Sequence, residues 1–361
     1  MVTSGPPVPT AGAGGLVGYV SSNHDQSIFQ QHVDFIASGG FIHELLFDGG
    51  HWTHNVLNSA PGGLVTCGPP VPTAEVLAGY VTHVFHSDDQ QHIVFVSDRQ
   101  VHELLFDSGH WCHSNLFTSA VPQVPTTGSG AVAADNLRLV GYISYNPDQQ
   151  HVIFLSGGVV HELVFDGGHW SHFNLFTSAV PQVPTTGTDA VVADTLAGLA
   201  GYSSQSPDQQ HVYYVTAGLG GAPGGHIHEL LFDGGHWADT DLTQRTGAPA
   251  HPGCGIAGYF TPAAAAQHVN FISKDGNDNG HVNELFFGPL TWKAIPDLYV
   301  LVTPPPPPPP LPTVLADGFS CVDGYVSNSP HQQHVNFISN DPDPSDPSGK
   351  DNHVIEIFNA F

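Results

Sequence analysis

The chain has 361 residues, long enough for two or three ordinary domains, and its 40% hydrophobic and 10% aromatic residues can supply a sizeable core. Thirty-two acidic against six basic residues give a formal net charge of −26. That removes the basic footprint that nucleic-acid binding requires and disfavours an anionic membrane surface. Only 11% of residues are charged, while Gly (41) and Pro (31) are abundant, which suits many short strands joined by turns.

Residues 1–15 carry neither the charged n-region nor the apolar h-region of a signal peptide, and no transmembrane run follows. The expected location is therefore cytoplasmic or reached by non-classical secretion. The same segment reads as a linker. After it, three markers recur at a period of about 60 residues. The first is a Gly-Tyr pair, at Gly18-Tyr19, Gly79-Tyr80, Gly141-Tyr142, Gly201-Tyr202, Gly258-Tyr259 and Gly324-Tyr325. The second is Gln-His before an apolar run, at His32, His92, His151, His211, His268 and His334. The third is a His-Glu-Leu-type strand bearing Glu44, Glu103, Glu162, Glu229, Glu284 and Glu356. A Gly-His-Trp marker closes four units at Trp52, Trp111, Trp170 and Trp237, and the fifth has Trp292 without the His.

The third unit shows the elements most clearly. Strands are predicted over Leu139–Ser144, Gln150–Leu155 and Val160–Phe165, with a fourth from His169 to about Phe176. Asp166-Gly167-Gly168 signals a hairpin turn. Linkers follow the units; those beginning at Phe117 and Phe176 repeat one another almost letter for letter, and Pro304–Pro310 reads as a stiff polyproline spacer. Cys254 and Cys321 both precede a Gly-Tyr strand in neighbouring repeats, a placement that allows a disulfide. The sixth unit stops at Phe361, soon after its Glu356 strand, and lacks an obvious Trp-bearing fourth strand.

Four short antiparallel strands per unit predict an all-β fold, a six-bladed β-propeller with an incomplete last blade. The blades would span 15–58, 76–118, 137–177, 197–243, 255–296 and 320–361 of a single domain, 1–361. An incomplete blade leaves a sheet edge through which a homo-oligomer or filament could form. A structural, self-assembling subunit is therefore the alternative to a binding protein.

Polar residues inside the strands call for partners. His on the second strand can bond to His or Glu on the third and hold the register, since blade faces are covered and buried polar groups must be paired. No metal site or cofactor is expected, because the ligand spacing matches no site signature. No Gly-x-Ser-x-Gly elbow, His-Glu-x-x-His motif or phosphate loop appears, and a residue present in every blade is a poor candidate for one active site, so an enzyme is not expected. The turns are better candidates. The first-to-second and third-to-fourth strand turns should emerge at one end of a blade. They would group Gln90, Asp107, His110 and Trp111 in the second unit. The third would hold Gln149, Asp166, His169 and Trp170, and the fourth Gln209, Asp233, His236 and Trp237. An aromatic platform beside amide and carboxylate groups suits a neutral sugar, so glycans are the expected partners.

The runs Gln210-His-Val-Tyr-Tyr, His226-Ile-His-Glu-Leu-Leu-Phe-Asp-Gly-Gly-His-Trp and Asp241-Leu-Thr resemble the tandem repeats of microbial and fungal propeller proteins grouped with fucose-binding lectins. The resemblance covers nearly the whole chain. It implies six blades and sugar sites between blades or at their turns. That family's sites each use an Arg, a Glu and an aromatic. The three arginines here, Arg99, Arg138 and Arg245, cannot repeat such a site in every blade.

Overall fold

In the computed structural model, segments rich in Val, Ile, Phe and Tyr form strands, and Gly, Asp and Pro clusters form the turns. The structure describes residues 2–4, 11–22, 29–37, 39–58, 64–82, 89–135, 138–145, 148–186, 190–194, 198–205, 208–217, 225–248, 252–261, 265–274, 280–288, 291–295, 322–328, 331–339 and 353–360. Pro304–Pro310 and Cys321, and with it a Cys254–Cys321 pairing, lie outside them. No described helix is long and apolar enough to cross a membrane. The chain divides into two compact units, Met1–Leu175 and Phe176–Phe361.

The first unit holds three sheets. β1 (Val2–Ser4), β2 (Ala11–Ser22), β3 (Phe29–Ala37), β4 (Ile42–Asp48) and β5 (His51–Val56) pair in the order β1-β5-β4-β3-β2. β6 (Val65–Cys67), β7 (Val76–Thr82), β8 (Gln90–Ser97), β9 (Gln100–Asp107) and β10 (His110–Asn115) repeat that order. A helical turn, α1 (Leu116–Ser119), follows, capped by the Asn115 side chain, which accepts from the Phe117 and Thr118 N–H groups. The third sheet is β11 (Leu139–Tyr145), β12 (Asp148–Ser156), β13 (Val159–Asp166) and β14 (His169–Asn174) in sequence order. After α2 (Leu175–Ser178), the second unit continues with β15 (Leu199–Gln205), β16 (Asp208–Val215), β17 (Ile227–Asp233) and β18 (His236–Asp241). Then come α3 (Leu242–Thr246) and the sheet of β19 (Pro252–Thr261), β20 (Ala266–Lys274), β21 (Gly280–Gly288) and β22 (Thr291–Ile295). A sheet of β23 (Val322–Asn328), β24 (His331–Ser339) and β25 (His353–Ala360) completes the described strands.

The expectation of six blades, the last one incomplete, is corrected to five blades. Five sheets carry the antiparallel four-strand meander, and the sixth repeat contributes three strands. The chain has five Trp, one on the fourth strand of each full blade, and the sixth repeat has none.

Within each unit the first strands of successive blades pack together, β2 against β7 and β7 against β11, then β15 against β19 and β19 against β23. The Gly-Tyr marker belongs to this contact. A Cβ on Gly79 would stand 2.9 Å from the Tyr19 ring, and one on Gly141 would overlap the Tyr80 ring. Glycine thus leaves room for the tyrosine of the preceding blade.

In the first four blades the segment preceding the blade runs beside that blade's own fourth strand. β1 pairs parallel with β5 at Trp52, and β6 with β10 at Trp111. In the third and fourth blades Val121 and Val180 donate their N–H groups to the Trp170 and Trp237 carbonyls, each at 2.8 Å. The incoming chain therefore occupies the sheet edge that would otherwise stand open. A disulfide, Cys67–Cys112, with Cα atoms 4.6 Å apart, joins β6 to β10. Their separation of 45 residues hid this pairing in the sequence.

Candidate functional site

Register fixes the turn end of each blade. In the third blade Gln150 faces Phe165, Phe165 faces Trp170, and Asp166 faces His169 across the two-residue Gly167-Gly168 turn. Both glycines have positive φ (57° and 89°), the backbone that a tight hairpin requires. Gln91–Phe106–Trp111 in the second blade and Gln210–Phe232–Trp237 in the fourth repeat the arrangement. The anticipated clusters are therefore at one end of each sheet. Asp166, His169, Asp233 and His236 are exposed, as is His110, while Gln90, Asp107, Gln149 and Gln209 are half-buried.

The tryptophans differ from the expectation of an open platform. Trp111, Trp170 and Trp237 are only 3%, 5% and 6% exposed. Each tilts against the Phe opposite it, at 5.2, 5.4 and 5.3 Å between ring centroids. Trp170 shares a core with Phe117, Ala120 and Val124 of the linker. An aromatic side chain buries about 150–250 Å², worth several kcal/mol at about 25 cal/mol per Å². The docked linker makes that burial possible, and a contact so distant in sequence left no local signal.

Inside the blades a hydroxyl, an imidazole and a carboxylate recur in line. Nδ1–H of His32, His92, His151, His211 and His268 donates to Glu44, Glu103, Glu162, Glu229 and Glu284 at 2.6–2.9 Å. The Nε2 of each meets a hydroxyl of Ser21, Thr82, Ser144, Ser204 or Thr261 at 2.8–3.4 Å. The groups match those of a hydrolytic triad. Ser21, Ser144, Ser204 and Thr261 are buried, however, and a Tyr ring stacks on each of the five imidazoles at 4.6–4.9 Å. The relays tie three strands in register, as the polar pattern predicts.

A second layer stacks Phe, His and His. His102 Nδ1 lies 3.0 Å from His113 Nε2, and His113 Nδ1–H donates to the Pro69 carbonyl at 2.9 Å. His161–His172 at 3.0 Å and His43–His54 at 2.8 Å repeat the pair. Burial, and then the partner imidazole, lower His102 and His161 to about 4, and the same causes lower His43. Burial also lowers His113 and His172. His43, His102, His113, His161 and His172 are therefore neutral at pH 7.

The fourth blade departs from this layer. Asp239 stands where the other pairs have a second His, and His226, His228 and Asp241 gather ligand atoms within 4.8 Å of one another. The sequence reading passed over this group. Its signal was His226-x-His228, two histidines two residues apart at the start of β17.

No protein-family model matches the chain, and no curated protein matches it. Among solved structures, a mutant Aleuria aurantia lectin in complex with alpha-methyl-L-fucoside is 16% identical at a TM-score of 0.53, over 94% of this chain and 90% of that one. The same figures hold for that lectin mutant in complex with Fucalpha1-6GlcNAc. A protein of unknown function from Dyadobacter fermentans is 12% identical at a TM-score of 0.51, over 95% of each chain. At such identities the likeness is one of fold: an all-β β-propeller with four antiparallel strands per blade.

Proposed function

We propose that this propeller binds neutral carbohydrate through the polar turn ends of its second, third and fourth blades. One observation carries the reading: the same Gln, Asp and His recur at the same end of three sheets, with each His exposed on a rigid two-residue turn. Carboxylate and amide oxygens accept from sugar hydroxyls, the amide N–H donates back, and the imidazole face takes the stacking role that the buried Trp cannot. The net charge of −26 favours neutral over anionic glycans. Each site is shallow and weak, and three copies on one chain raise avidity on a displayed glycan by about 10²–10⁴ over a single site where the spacing allows.

The relays support binding over catalysis, since the described hydroxyl–imidazole–carboxylate lines lie beneath tyrosine rings. The test is a glycan array with multivalent display, run on the parent chain and on a variant combining His110→Ala, His169→Ala and His236→Ala. The parent should bind a neutral glycan and the triple variant should lose at least about tenfold in apparent affinity. Absence of binding to every neutral glycan defeats the reading, and equal binding by both proteins moves the site away from these turns.

A further inference from the structure

We infer that the fourth blade holds a divalent-cation site of zinc type, with His226, His228 and Asp241 as its protein ligands. The inference is independent of sugar binding, because these residues lie outside the turn clusters.

The atoms are already close. His226 Nδ1 is 2.6 Å from Asp241 Oδ2, and His228 Nε2 is 3.9 Å from the same oxygen. A tetrahedral ion with bonds of about 2.0–2.1 Å holds its ligand atoms about 3.3 Å apart, between these two values. His228 and Asp241 are each oriented by a second contact. The Nδ1–H of His228 donates to Asp239 at 3.0 and 3.3 Å, so its Nε2 presents a lone pair toward Asp241. A carboxylate behind a ligating imidazole fixes its tautomer and raises its basicity, the arrangement that recurs around zinc. Asp239 is itself held by the Tyr214 hydroxyl, which donates to its Oδ1 at 2.8 Å. Asp241 Oδ1 accepts the Gln244 N–H at 2.8 Å as the cap of α3, which leaves Oδ2 for the ion. On binding, His226 Nδ1 gives up its N–H to become the ligand atom, and the neutral ring carries its one N–H at Nε2 instead.

The blade's departures from the repeat converge on this one place. Where Tyr214 stands, the other full blades have Phe35, Phe95, Phe154 and Phe271. Where Asp239 stands, they have His54, His113, His172 and Ala294. Where His226 stands, the first three blades have Phe41, Gln100 and Val159; the fifth has His281, but with Asn283 in place of the second histidine. No other described blade combines these groups. The His226 side chain is 42% exposed, so the ion has a route from solvent and a fourth coordination position open to water.

The test is titration of the full-length, oxidised chain with Co²⁺ and then Zn²⁺, read by the visible d–d absorption of the bound cobalt. One tight equivalent should show the spectrum of a low-coordinate nitrogen–oxygen site and be displaced by zinc. His226→Gln, at a partly exposed position, should weaken that equivalent by more than about 100-fold, and Asp239→Asn, acting through His228, by about 10- to 100-fold. Zinc should raise the melting temperature of the parent but not of His226→Gln. A parent without a tight equivalent overturns the site, and so does a His226→Gln variant that binds as the parent does.

Discussion

Asp34 sets one carboxyl against another inside the first blade. It is fully buried, lies directly across from Glu44, and neither of its oxygens has a hydrogen-bond partner. Burial, and then the Glu44 charge, hold its pKa well above the usual carboxylate range, so it is protonated in the fold. The unfolded chain releases that proton above a pKa of about 3.9. The folded state therefore loses stability relative to the unfolded as pH rises past that value. The fifth blade has Asn270 at this position, and its Nδ2 donates to the Tyr259 hydroxyl at 3.0 Å. Asp34→Asn should accordingly stabilise the protein by about 1–3 kcal/mol at pH 7 and by little near pH 4. Chemical denaturation at the two pH values measures this; an equal change at both would mean that ionisation is not the cause. At this scale the sequence was legible where chemistry is local: Asp166-Gly167-Gly168-His169 read as a turn and is one. It was silent on Trp170, whose cover arrives from residues 117–124, and on His226, whose partners lie on the next strand.

Strand-level packing explains the most regular marker. The Gly-Tyr pair was visible six times, but which residue needed the glycine was not, because the need arises in the neighbouring blade. Tyr80 stacks on His92 at 4.6 Å and donates its hydroxyl to Gln150 at 3.2 Å, so its ring is held over Gly141 from two sides. Gly141→Ala would drive a methyl into that ring and should cost about 1–3 kcal/mol. Among the described residues Gly18 has no such neighbour, its nearest contact being the His32 carbonyl oxygen at 3.7 Å. There Gly18→Ala should be neutral or stabilising, since alanine loses less backbone entropy on folding. Paired thermal melts decide the matter: similar effects at both positions would remove the blade-to-blade contact as the reason for the marker. The blade count has the same origin. Three markers recur six times, whereas the fourth strand depends on a Trp segment that only five repeats contain.

Across the chain the stacked histidine pairs couple stability to pH. His43, His102, His113, His161 and His172 all have folded pKa values below the usual 6.5, with His102 and His161 near 4. A depressed histidine is neutral in the fold while the unfolded chain takes up a proton, so its contribution is intact above pH 6.5 and is lost as pH falls toward 4. His102 and His161 each account for on the order of 2 kcal/mol over that window after solvent screening. Asp34, Glu75 and Asp135 act in the opposite sense, since their raised pKa values favour the fold as pH falls. Five histidines against three carboxyls, two of them only partly buried, leave the histidines dominant. The melting temperature should therefore drop by roughly 5 °C or more between pH 7 and pH 4.5. Replacing one pair with apolar rings, His161→Phe with His172→Leu, should remove part of that drop while keeping the stack filled. A parent and a His161→Phe/His172→Leu variant with the same pH dependence would locate the sensitivity elsewhere than in these stacks.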